Sequence, residues 1–420
     1  MLGNAAAGDP ASKMVTARDS KPDLLYLSPV VPSLTGNGLA MRAGAVLEGL
    51  AECYSVSLLV VTLYPPFVPC VPEVFETLCR RTAVVARPRQ SWLSFLAPSR
   101  WMGPLAAWRR LPVDVIHVFR LAMAPYARPF RERHSGVLSH LDLDDIESTT
   151  HRRISSLCEA NRDHILARFE EAQAKANQEA EREAFAGFGR IYVCSEADRA
   201  ELQANTRAEL CVLPNAVRSP AAAPGAGSGS GSRLLFVGTL GYYPNDDGAR
   251  YLCDEIVPRV RTQWPGDFQV EIAGPGASSR LLDAADRAGV HVAGWVPDLE
   301  PCYRAADVVV VPVRAGGGTR IKVLEAFSYR RPVVTTAAGI EGIDARHEEH
   351  VLIAGGPEEF AGHCVRLMGD RALRERLARN AWDLLARRYS IEVLKRTIAS
   401  SLPPALRRES RSGARPPFAR

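Results

Sequence analysis

The chain has 420 residues, which is enough for two domains, and its 46% share of hydrophobic residues is typical of a globular protein. Its net charge of +5 is small, so it favours an anionic ligand or an anionic lipid surface and gives no support for a nucleic acid partner. The nine cysteines are scattered singly, and the sequence shows neither a signal peptide nor an apolar run of the ~20 residues that span a membrane, so we expect a cytoplasmic protein.

The first elements predict a Rossmann-like domain over residues 21–218, preceded by a small, polar and disordered N-terminus at 1–20. A strand at Leu24–Leu27, a helix at Leu39–Cys53 and a strand at Ser55–Val61 form a βαβ opening.

The turn before that helix is a candidate ligand loop. It contains Asn37 and Gly38 in the sequence GNG, which is shorter than a full GxGxxG pattern. Two interpretations stay open, a tight strand-to-helix turn and a loop that approaches a phosphate. Arg42, one turn into the helix, is a candidate for contact with an acceptor or a phosphate.

Two further strands end in charged residues. Arg120 follows a strand at Asp114–Val118, at the sheet edge where such folds bind ligands. A strand at Val137–Leu143 leads into a cluster of Asp142, Asp144 and Asp145. Three neighbouring carboxylates need a metal, a cation or water. We consider a divalent metal site, an aspartate that acts in the chemistry (Asp144), and simple helix capping.

The remaining composition predicts how the chain is divided. Residues 219–232 are rich in Gly, Ser and Pro, as in flexible linkers, and a new βα series begins at Arg233. The expected divisions are a domain at 21–218, a linker at 219–232, a second Rossmann-like domain at 233–390, a helix at 391–402 that returns to the first domain, and a disordered basic tail at 403–420.

The segment from Asp307 to Thr336 carries the clearest functional pattern. An apolar strand at Val308–Val313 is followed by three glycines, including Gly317 and Gly318, and then by a helix that Thr319 is expected to cap. A glycine loop that leads into a helix N-terminus favours bound phosphate, because free N–H groups and the helix dipole point at the loop.

Three charged residues on that helix strengthen this prediction. Arg320 and Lys322 add positive charge, and Glu325 lies on nearly the same face as Lys322. A carboxylate there suits two vicinal hydroxyls, as on a ribose. The alternative is a surface Lys–Glu pair, worth about 0.2–0.5 kcal/mol.

The segment GGGTRIKVLEAFSYRRPVVTT resembles the donor site of retaining glycosyltransferases of family four, the glycosyl transferases group one type. The resemblance implies the GT-B fold, an α/β architecture of two Rossmann-like domains that face a cleft. It implies that Arg320, Lys322 and the helix N-terminus hold the donor diphosphate and that Glu325 binds the ribose. The family often has a second glutamate eight residues earlier, which contacts the donor sugar, and here that position is Gly317.

The resemblance also extends to other candidates. It favours Gly38 as part of a loop that approaches the donor phosphates, and it places Trp295 after a strand whose backbone contacts the nucleotide base. Trp295 either stacks on the ligand or packs in the core. Many relatives carry a histidine near Asp144, and the GT-B fold does not need a metal.

The sequence therefore predicts a metal-independent glycosyltransferase without a cofactor that moves a sugar from a nucleotide-sugar donor to an acceptor hydroxyl. The acceptor is a glycan, a lipid-linked or a small molecule, the expected role is cell-surface polysaccharide or glycoconjugate synthesis, and peripheral contact with a membrane is compatible with the basic tail. No pattern indicates an oligomeric state. A nucleotide-sugar epimerase of the same fold and a non-catalytic sugar-nucleotide-binding module are the alternatives.

Overall fold

The computed structural model describes residues 21–62, 70–86, 108–134, 136–220 and 232–401. The predictions for 1–20, for most of the linker at 219–232 and for the tail at 403–420 lie outside these residues.

Within the described ranges, seven parallel strands form the first sheet, in the order β3-β2-β1-β4-β5-β6-β7. Alternate residues of β1 enter different cores, with Leu25 and Leu27 on one face and Leu24 and Tyr26 on the other. The apolar runs are therefore buried on both faces, as parallel sheets require. The strands are β1 Asp23–Ser28, β2 Ser55–Thr62, β3 Cys79–Ala86, β4 Val115–Phe119, β5 Leu138–Asp142, β6 Arg190–Val193 and β7 Glu209–Val212.

Helices connect these strands and cover the sheet. Asn37 begins the first helix, because its side chain accepts a hydrogen bond from the Leu39 N–H. Ser195 caps another by accepting from the Asp198 N–H, as expected for a serine followed three positions later by an acidic residue. The helices are α1 Gly38–Cys53, α2 Glu73–Glu76, α3 Ala124–Arg133, α4 Glu147–Ala160, α5 His164–Phe185 and α6 Glu196–Leu202.

The second sheet contains six parallel strands among the described residues, in the order β10-β9-β8-β11-β12-β13. Every residue of its central strand Val308–Val311 is buried, which explains the run of four valines. The strands are β8 Arg233–Val237, β9 Gln269–Ala273, β10 His291–Gly294, β11 Val308–Val311, β12 Val333–Thr336 and β13 Leu352–Ala354.

The helices of the second half lie around this sheet, and a π-helical turn at Leu252–Ile256 joins the first two of them. They are α7 Tyr243–Tyr251, α8 Val257–Gln263, α9 Ser279–Ala288, α10 Glu300–Ala305, α11 Ile321–Ser328, α12 Ala337–Ile340, α13 Pro357–Gly369, α14 Arg371–Arg388 and α15 Ile391–Ser400. Across the described ranges, no helix combines the length and the apolar character needed to cross a bilayer.

The last helix, α15, packs on the first half of the molecule. Ile391, Leu394 and Ile398 of α15 belong to the same core cluster as α1. Gly49 of α1 allows this close approach, since a Cβ there would lie 2.5 Å from Cδ1 of Ile398. The N–H of Val217, near the end of the first half, donates to the carbonyl of Tyr389, just before α15, at 3.0 Å. The two segments in which the chain passes between the halves therefore lie side by side.

The carboxyl ends of the two sheets face each other. Gly38, after β1, meets Ile321 of α11, with 3.1 Å between a Cβ built on the glycine and the isoleucine Cδ1. Ser195, after β6, lies 3.7 Å from the Cβ position of Gly342. Loops at the ligand-binding edges of both sheets thus form one interface. The α/β architecture of two Rossmann-like halves agrees with the prediction from the sequence.

Candidate active site

The glycine bend between β11 and α11 lies at the interface between the two halves. Gly316 and Gly318 have φ angles of 124° and 64°, which side chains rarely adopt, so glycine is needed at both positions. At Gly317 it is the neighbouring half of the molecule that excludes a side chain. A Cβ there would overlap Oγ1 of Thr150 and Oδ1 of Asp145 in the first half. The bend therefore faces the other half of the molecule.

The expectation that Thr319 caps α11 is wrong. The N-cap is Arg320, whose extended backbone makes no side-chain cap, because the bend continues one residue further than the spacing suggests. Thr319 is buried against the loop that contains Gly342, and its Oγ1 has no hydrogen-bond partner among the described residues. A buried hydroxyl without a partner costs free energy unless a ligand or water satisfies it.

One end of the Arg320 guanidinium hydrogen-bonds to the backbone of the bend. Its Nη1 donates to the carbonyls of Gly317 and Gly318, the latter at 3.0 Å. Its Nε and Nη2 are buried and have no partner in the described part of the chain. Two donor nitrogens of this positively charged guanidinium therefore make no hydrogen bond to the described residues beside the bend.

Lys322 is half-buried, and its ammonium has no ion-pair partner among the described residues. Its Nζ donates to Oδ1 of Asn245 at 2.6 Å and lies 4.7 Å from the centre of the Phe236 ring. Burial, together with the nearby Arg320 charge, lowers the pKa of Lys322 to about 7. The lysine covers Gly238, whose Cβ position is 2.9 Å from Nζ. Sequence analysis did not identify Asn245 as the partner of Lys322.

Glu325 lies one turn after Lys322, and Tyr303 holds it. The Tyr303 hydroxyl donates to Oε2 at 3.2 Å, and its buried ring stacks on Tyr329 with centroids 5.0 Å apart. Burial raises the pKa of Glu325 to about 7, although both Tyr303 and Lys322 oppose the shift. The surface Lys–Glu pair that the sequence left open does not fit these two half-buried residues, because Lys322 binds Asn245 and Glu325 binds Tyr303. Sequence analysis did not identify Tyr303, which lies in the apolar pattern before β11.

In the first half, Arg42 organises the aspartate cluster. Its guanidinium is 1% exposed and donates to Oδ1 of Asp142 at 2.7 Å, to the Asn215 side chain and to the Leu213 carbonyl. Burial alone would raise the pKa of Asp142, but the Arg42 charge holds it below its usual value. Arg42 was expected to contact a ligand; it is a buried structural cation instead.

Arg120 and Asp144 are further members of this charged cluster. Arg120 donates to Oδ2 of Asp144 at 3.3 Å and pairs with Glu147 at 2.9 Å. The other Asp144 oxygen accepts from Asn215 at 3.2 Å. Arg120 and Asp144 have φ angles of 73° and 59°, a conformation that costs about 1–3 kcal/mol in such residues and is concentrated at functional sites.

Asp145 points across the interface. Its Oδ1 accepts from the Thr150 hydroxyl at 2.6 Å, and burial raises the pKa of this carboxyl. The divalent metal interpretation of the three aspartates finds no support here. The guanidinium groups of Arg42 and Arg120 lie where a cation would bind Asp142 and Asp144, and no metal-binding group of three such side chains was found in the described ranges.

Two other candidates lie away from this convergence. Trp295, after β10, is 70% exposed, so the core-packing interpretation is wrong and the ring is open to solvent. Asn37 is occupied as the cap of α1, whereas Gly38 lies directly against α11. The structure thus brings together Gly38, Arg120, Gly317, Gly318, Thr319, Arg320, Lys322 and Glu325 at facing sheet edges.

Comparison with known proteins identifies the second half. Residues 231–370 match the model of the family described as glycosyl transferases group 1. A curated relative from Klebsiella pneumoniae, described as an uncharacterized 44.6 kDa protein in the cps region, is 28% identical over 165 residues. That alignment covers 37% of this chain and 42% of the relative, so the chain matches less than half of that protein's length.

Solved structures establish the fold. Sucrose-phosphate synthase from Thermosynechococcus elongatus has a TM-score of 0.69 at 15% identity and covers 90% of this chain and 98% of its own. Anabaena HepE, solved with UDP and glucose, has a TM-score of 0.64 at 16% identity, covering 90% and 99%. An E. coli trehalose-6-phosphate structure bound with UDP-2-fluoro glucose has a TM-score of 0.64 at 14% identity, covering 92% and 99%. The chain thus has the GT-B fold, and its residues 231–370 are similar to the glycosyl transferases group 1 family.

Proposed function

We propose that this chain transfers a sugar from a nucleotide diphosphate-sugar donor to an acceptor hydroxyl with retention of the anomeric configuration. The observation that carries the proposal is the set of unsatisfied groups at the glycine bend. Among the described residues, Arg320 has two buried donor atoms without partners, and Thr319 has a buried hydroxyl without one. Lys322 has a pKa lowered to about 7 because burial removes its ammonium from water. A bound diphosphate would satisfy all three.

The same groups suit the departing diphosphate in the reaction. As the bond to the sugar breaks, negative charge grows on the leaving phosphate, and cations already held beside it stabilise that charge. Arg320, Lys322 and the N-terminus of α11 supply this positive field, so we propose that the reaction needs no metal ion and no cofactor. The leaving phosphate itself can accept the proton of the acceptor hydroxyl, and no protein nucleophile is required.

We propose that Glu325 binds the ribose of the donor. Tyr303 fixes one carboxylate oxygen, which leaves the other to accept from a ribose hydroxyl. Because Glu325 and Lys322 lie on one face of α11, ribose and diphosphate can be bound together. Trp295 stays a candidate for stacking on the base, since its exposed ring follows β10 at the ligand-binding edge.

On the first half, we propose that Gly38 approaches the donor phosphates, that Arg120 lines the cleft at the ligand-binding edge and that Asp144 contributes to turnover. Both Asp144 oxygens are engaged within its own half, so it acts by holding Arg120 and the turn that presents Asp145. Retention is supported by the likeness to trehalose-6-phosphate synthase, whose structure is described in terms of glycosyltransfer with retention, at 14% identity and a TM-score of 0.63.

We propose a glycan, lipid-linked or small-molecule acceptor and a role in cell-surface polysaccharide or glycoconjugate synthesis. The relative in the cps region supports this role. The free cysteines among the described residues support a cytoplasmic location. The basic tail at 403–420 is our candidate for peripheral contact with anionic lipid.

A thermal-shift screen of sugar nucleotides tests the proposal, because a ligand that binds the folded state raises the melting temperature. We expect a shift with one or more sugar nucleotides and a smaller shift with the parent nucleoside diphosphate, unchanged by EDTA. The best donor is then incubated with and without candidate acceptors.

The products distinguish the alternatives. Transfer gives a glycosylated acceptor with the donor's anomeric configuration. An epimerase would form a new sugar nucleotide without any acceptor, and a binding module would give a thermal shift but no product. Absence of any shift across the panel would contradict a sugar-nucleotide site.

A further inference from the structure

Residue 317 is the one glycine of the bend whose own backbone does not require glycine. Gly316 and Gly318 have positive φ angles, but Gly317 does not. What excludes a side chain there is the first half of the molecule. A Cβ on Gly317 would lie 1.7 Å from Oγ1 of Thr150 and 2.0 Å from Oδ1 of Asp145, so it would overlap both atoms. The carboxylate of Asp145 and the Thr150 hydroxyl that donates to it therefore take the space into which a side chain of residue 317 would extend.

This carboxylate has unused hydrogen-bonding capacity. Oδ1 of Asp145 accepts from Thr150, and Oδ2 has no partner among the described residues. An ionised carboxylate can accept about four hydrogen bonds, so Asp145 can bind two or more hydroxyls of a ligand. Asp144, its neighbour, differs because Arg120 and Asn215 occupy both of its oxygens.

The location of Asp145 determines which part of a donor it meets. Arg320 holds the carbonyls of Gly317 and Gly318 and has its unused donors beside the same bend. Nη2 of Arg320 lies 3.1 Å from the Cβ position of Gly316, and the Tyr242 hydroxyl lies 3.5 Å from the same Cβ position. A diphosphate bound by these donors carries its sugar directly beside the bend. Asp145 then lies beside the sugar, and its Oδ2 has no hydrogen-bond partner among the described residues.

We propose that Asp145 binds hydroxyls of the transferred sugar and that residue 317 is glycine because this carboxylate and its Thr150 partner enter the bend at that point. The inference rests on the proposed function. It adds that the sugar is recognised by the first domain, while the diphosphate and ribose are bound by the second. The sugar subsite is therefore complete only when the two domains meet.

The test compares nucleoside diphosphates with their sugar conjugates by calorimetry, using UDP and UDP-glucose, ADP and ADP-glucose, and GDP and GDP-mannose. Asp145→Asn keeps the shape of the side chain but removes its charge. We expect it to lower the affinity for the bound sugar conjugate about tenfold or more, as for lost hydrogen bonds to a charged group, and to change that for the parent diphosphate by less than about twofold.

Gly317→Ala gives an independent test, since alanine suits the backbone and only the facing carboxylate and Thr150 exclude it. We expect the same selective loss of affinity for the sugar conjugate, because the added methyl group displaces Asp145 from the bend. An affinity for the conjugate that is unchanged in both variants would overturn the inference.

Glu341→Gln is the matched control. It breaks a 2.8 Å ion pair with Arg153 that also joins α4 to the second half, and Arg153 keeps its hydrogen bond to the carbonyl of Gly316. If Asp145 acted only by holding the domains together, Glu341→Gln would reproduce its selective effect, and the inference would be wrong. Wild-type protein that binds none of the six compounds would instead contradict the proposed function itself.

Discussion

The two charged clusters that face each other across the interface are built in opposite ways. In the first half, the Arg42 charge is matched by Asp142 at 2.7 Å, and Arg120 is paired with both Asp144 and Glu147. In the second half, Lys322 donates to the neutral Asn245, and Arg320 has two buried donor atoms without a partner among the described residues. Each arginine of the first cluster therefore contacts a carboxylate, whereas in the described part of the second cluster no carboxylate contacts either cation.

The difference separates a structural role from a binding role. A buried ion pair needs its partner for stability, so the first cluster fixes the shape of the acceptor-side loops. A buried cation without an anion is costly, and such a site is maintained where a ligand supplies the missing charge. Removing charges from the two clusters should therefore have opposite consequences.

The largest effect is expected from Arg42→Met. It leaves Asp142 buried without its partner, so the free energy of unfolding of the first half should fall by about 3–5 kcal/mol. Urea denaturation measures this change. Arg80→Met is the control, because Arg80 pairs with Asp23 at the surface and its loss should cost less than about 1 kcal/mol. Equal losses in the two variants would contradict the contrast between the clusters.

Lys322→Ala and Glu325→Ala should act on binding instead. Each removes hydrogen bonds between a charged group and the donor, so donor affinity should fall by about 1.5–3 kcal/mol in calorimetry. The unliganded protein should keep its urea midpoint or gain stability in the Lys322 variant, since a buried uncompensated charge is removed. Unchanged donor affinity in both variants would show that the site is assigned to the wrong helix face.

Asp144→Asn should reduce turnover without changing donor affinity. Its carboxylate positions Arg120 and the turn before Asp145, so we expect a fall of about tenfold in kcat, equivalent to about 1.4 kcal/mol. Steady-state kinetics with donor and acceptor varied separately measures it. Glu147→Gln, which removes the other carboxylate bound to Arg120, tests whether the arginine's position is what matters. Full activity in the Asp144 variant would reduce this residue to a loop-shaping role.

The smallest effect concerns pH. The pKa of Lys322 is lowered to about 7, so its ammonium is lost as the pH rises above 7, and affinity for a bound pyrophosphate should fall several-fold between pH 7 and 8. A sugar nucleotide that binds in the thermal-shift screen is a suitable probe for calorimetry. Lys322→Arg should flatten the profile, because arginine stays charged. A flat wild-type profile would contradict the shifted lysine.

The stability of the unliganded protein should respond in the other direction. The folded state binds fewer protons at Lys322 than the unfolded state between pH 7 and its usual value of 10.5, so this group makes stability rise with pH in that window. Glu325, with its pKa raised to about 7 from 4.5, makes stability fall as pH rises between those values. Melting temperatures across pH should therefore show a shallow minimum near 7 that Glu325→Gln removes on its acidic side.

Local patterns predicted much of the fold because they reflect local physics. Four consecutive valines indicated the central strand at Val308–Val311, and Ser195 with Asp198 indicated a helix start. The same patterns failed where tertiary context decides. Thr319 has a side chain that can cap a helix, but the bend extends past it. Trp295 has a large apolar side chain that is typical of a core, but the fold leaves it exposed to solvent.

The candidate site was predictable on one helix and unpredictable across the interface. Arg320, Lys322 and Glu325 are close in the sequence, so helical spacing placed them together. Arg42 and Asp142 are far apart in the sequence, and no local pattern pairs them. The contact between Asp145 and Gly317 depends on how two separate sheets face each other. The sequence indicated it only through Gly317, which stands where the resembling family often has a glutamate.

The position of α15 has a consequence for how the protein is made. Translation runs from the N-terminus, yet the core of the first half includes Ile391, Leu394 and Ile398 near the other end of the chain. Throughout synthesis of the second half, the surface of α1 around Gly49 therefore lacks its cover. A fragment ended at 218 would expose the same apolar surface, and a fragment in which residues 391–401 are fused after a linker is the form to express for isolated first-domain studies.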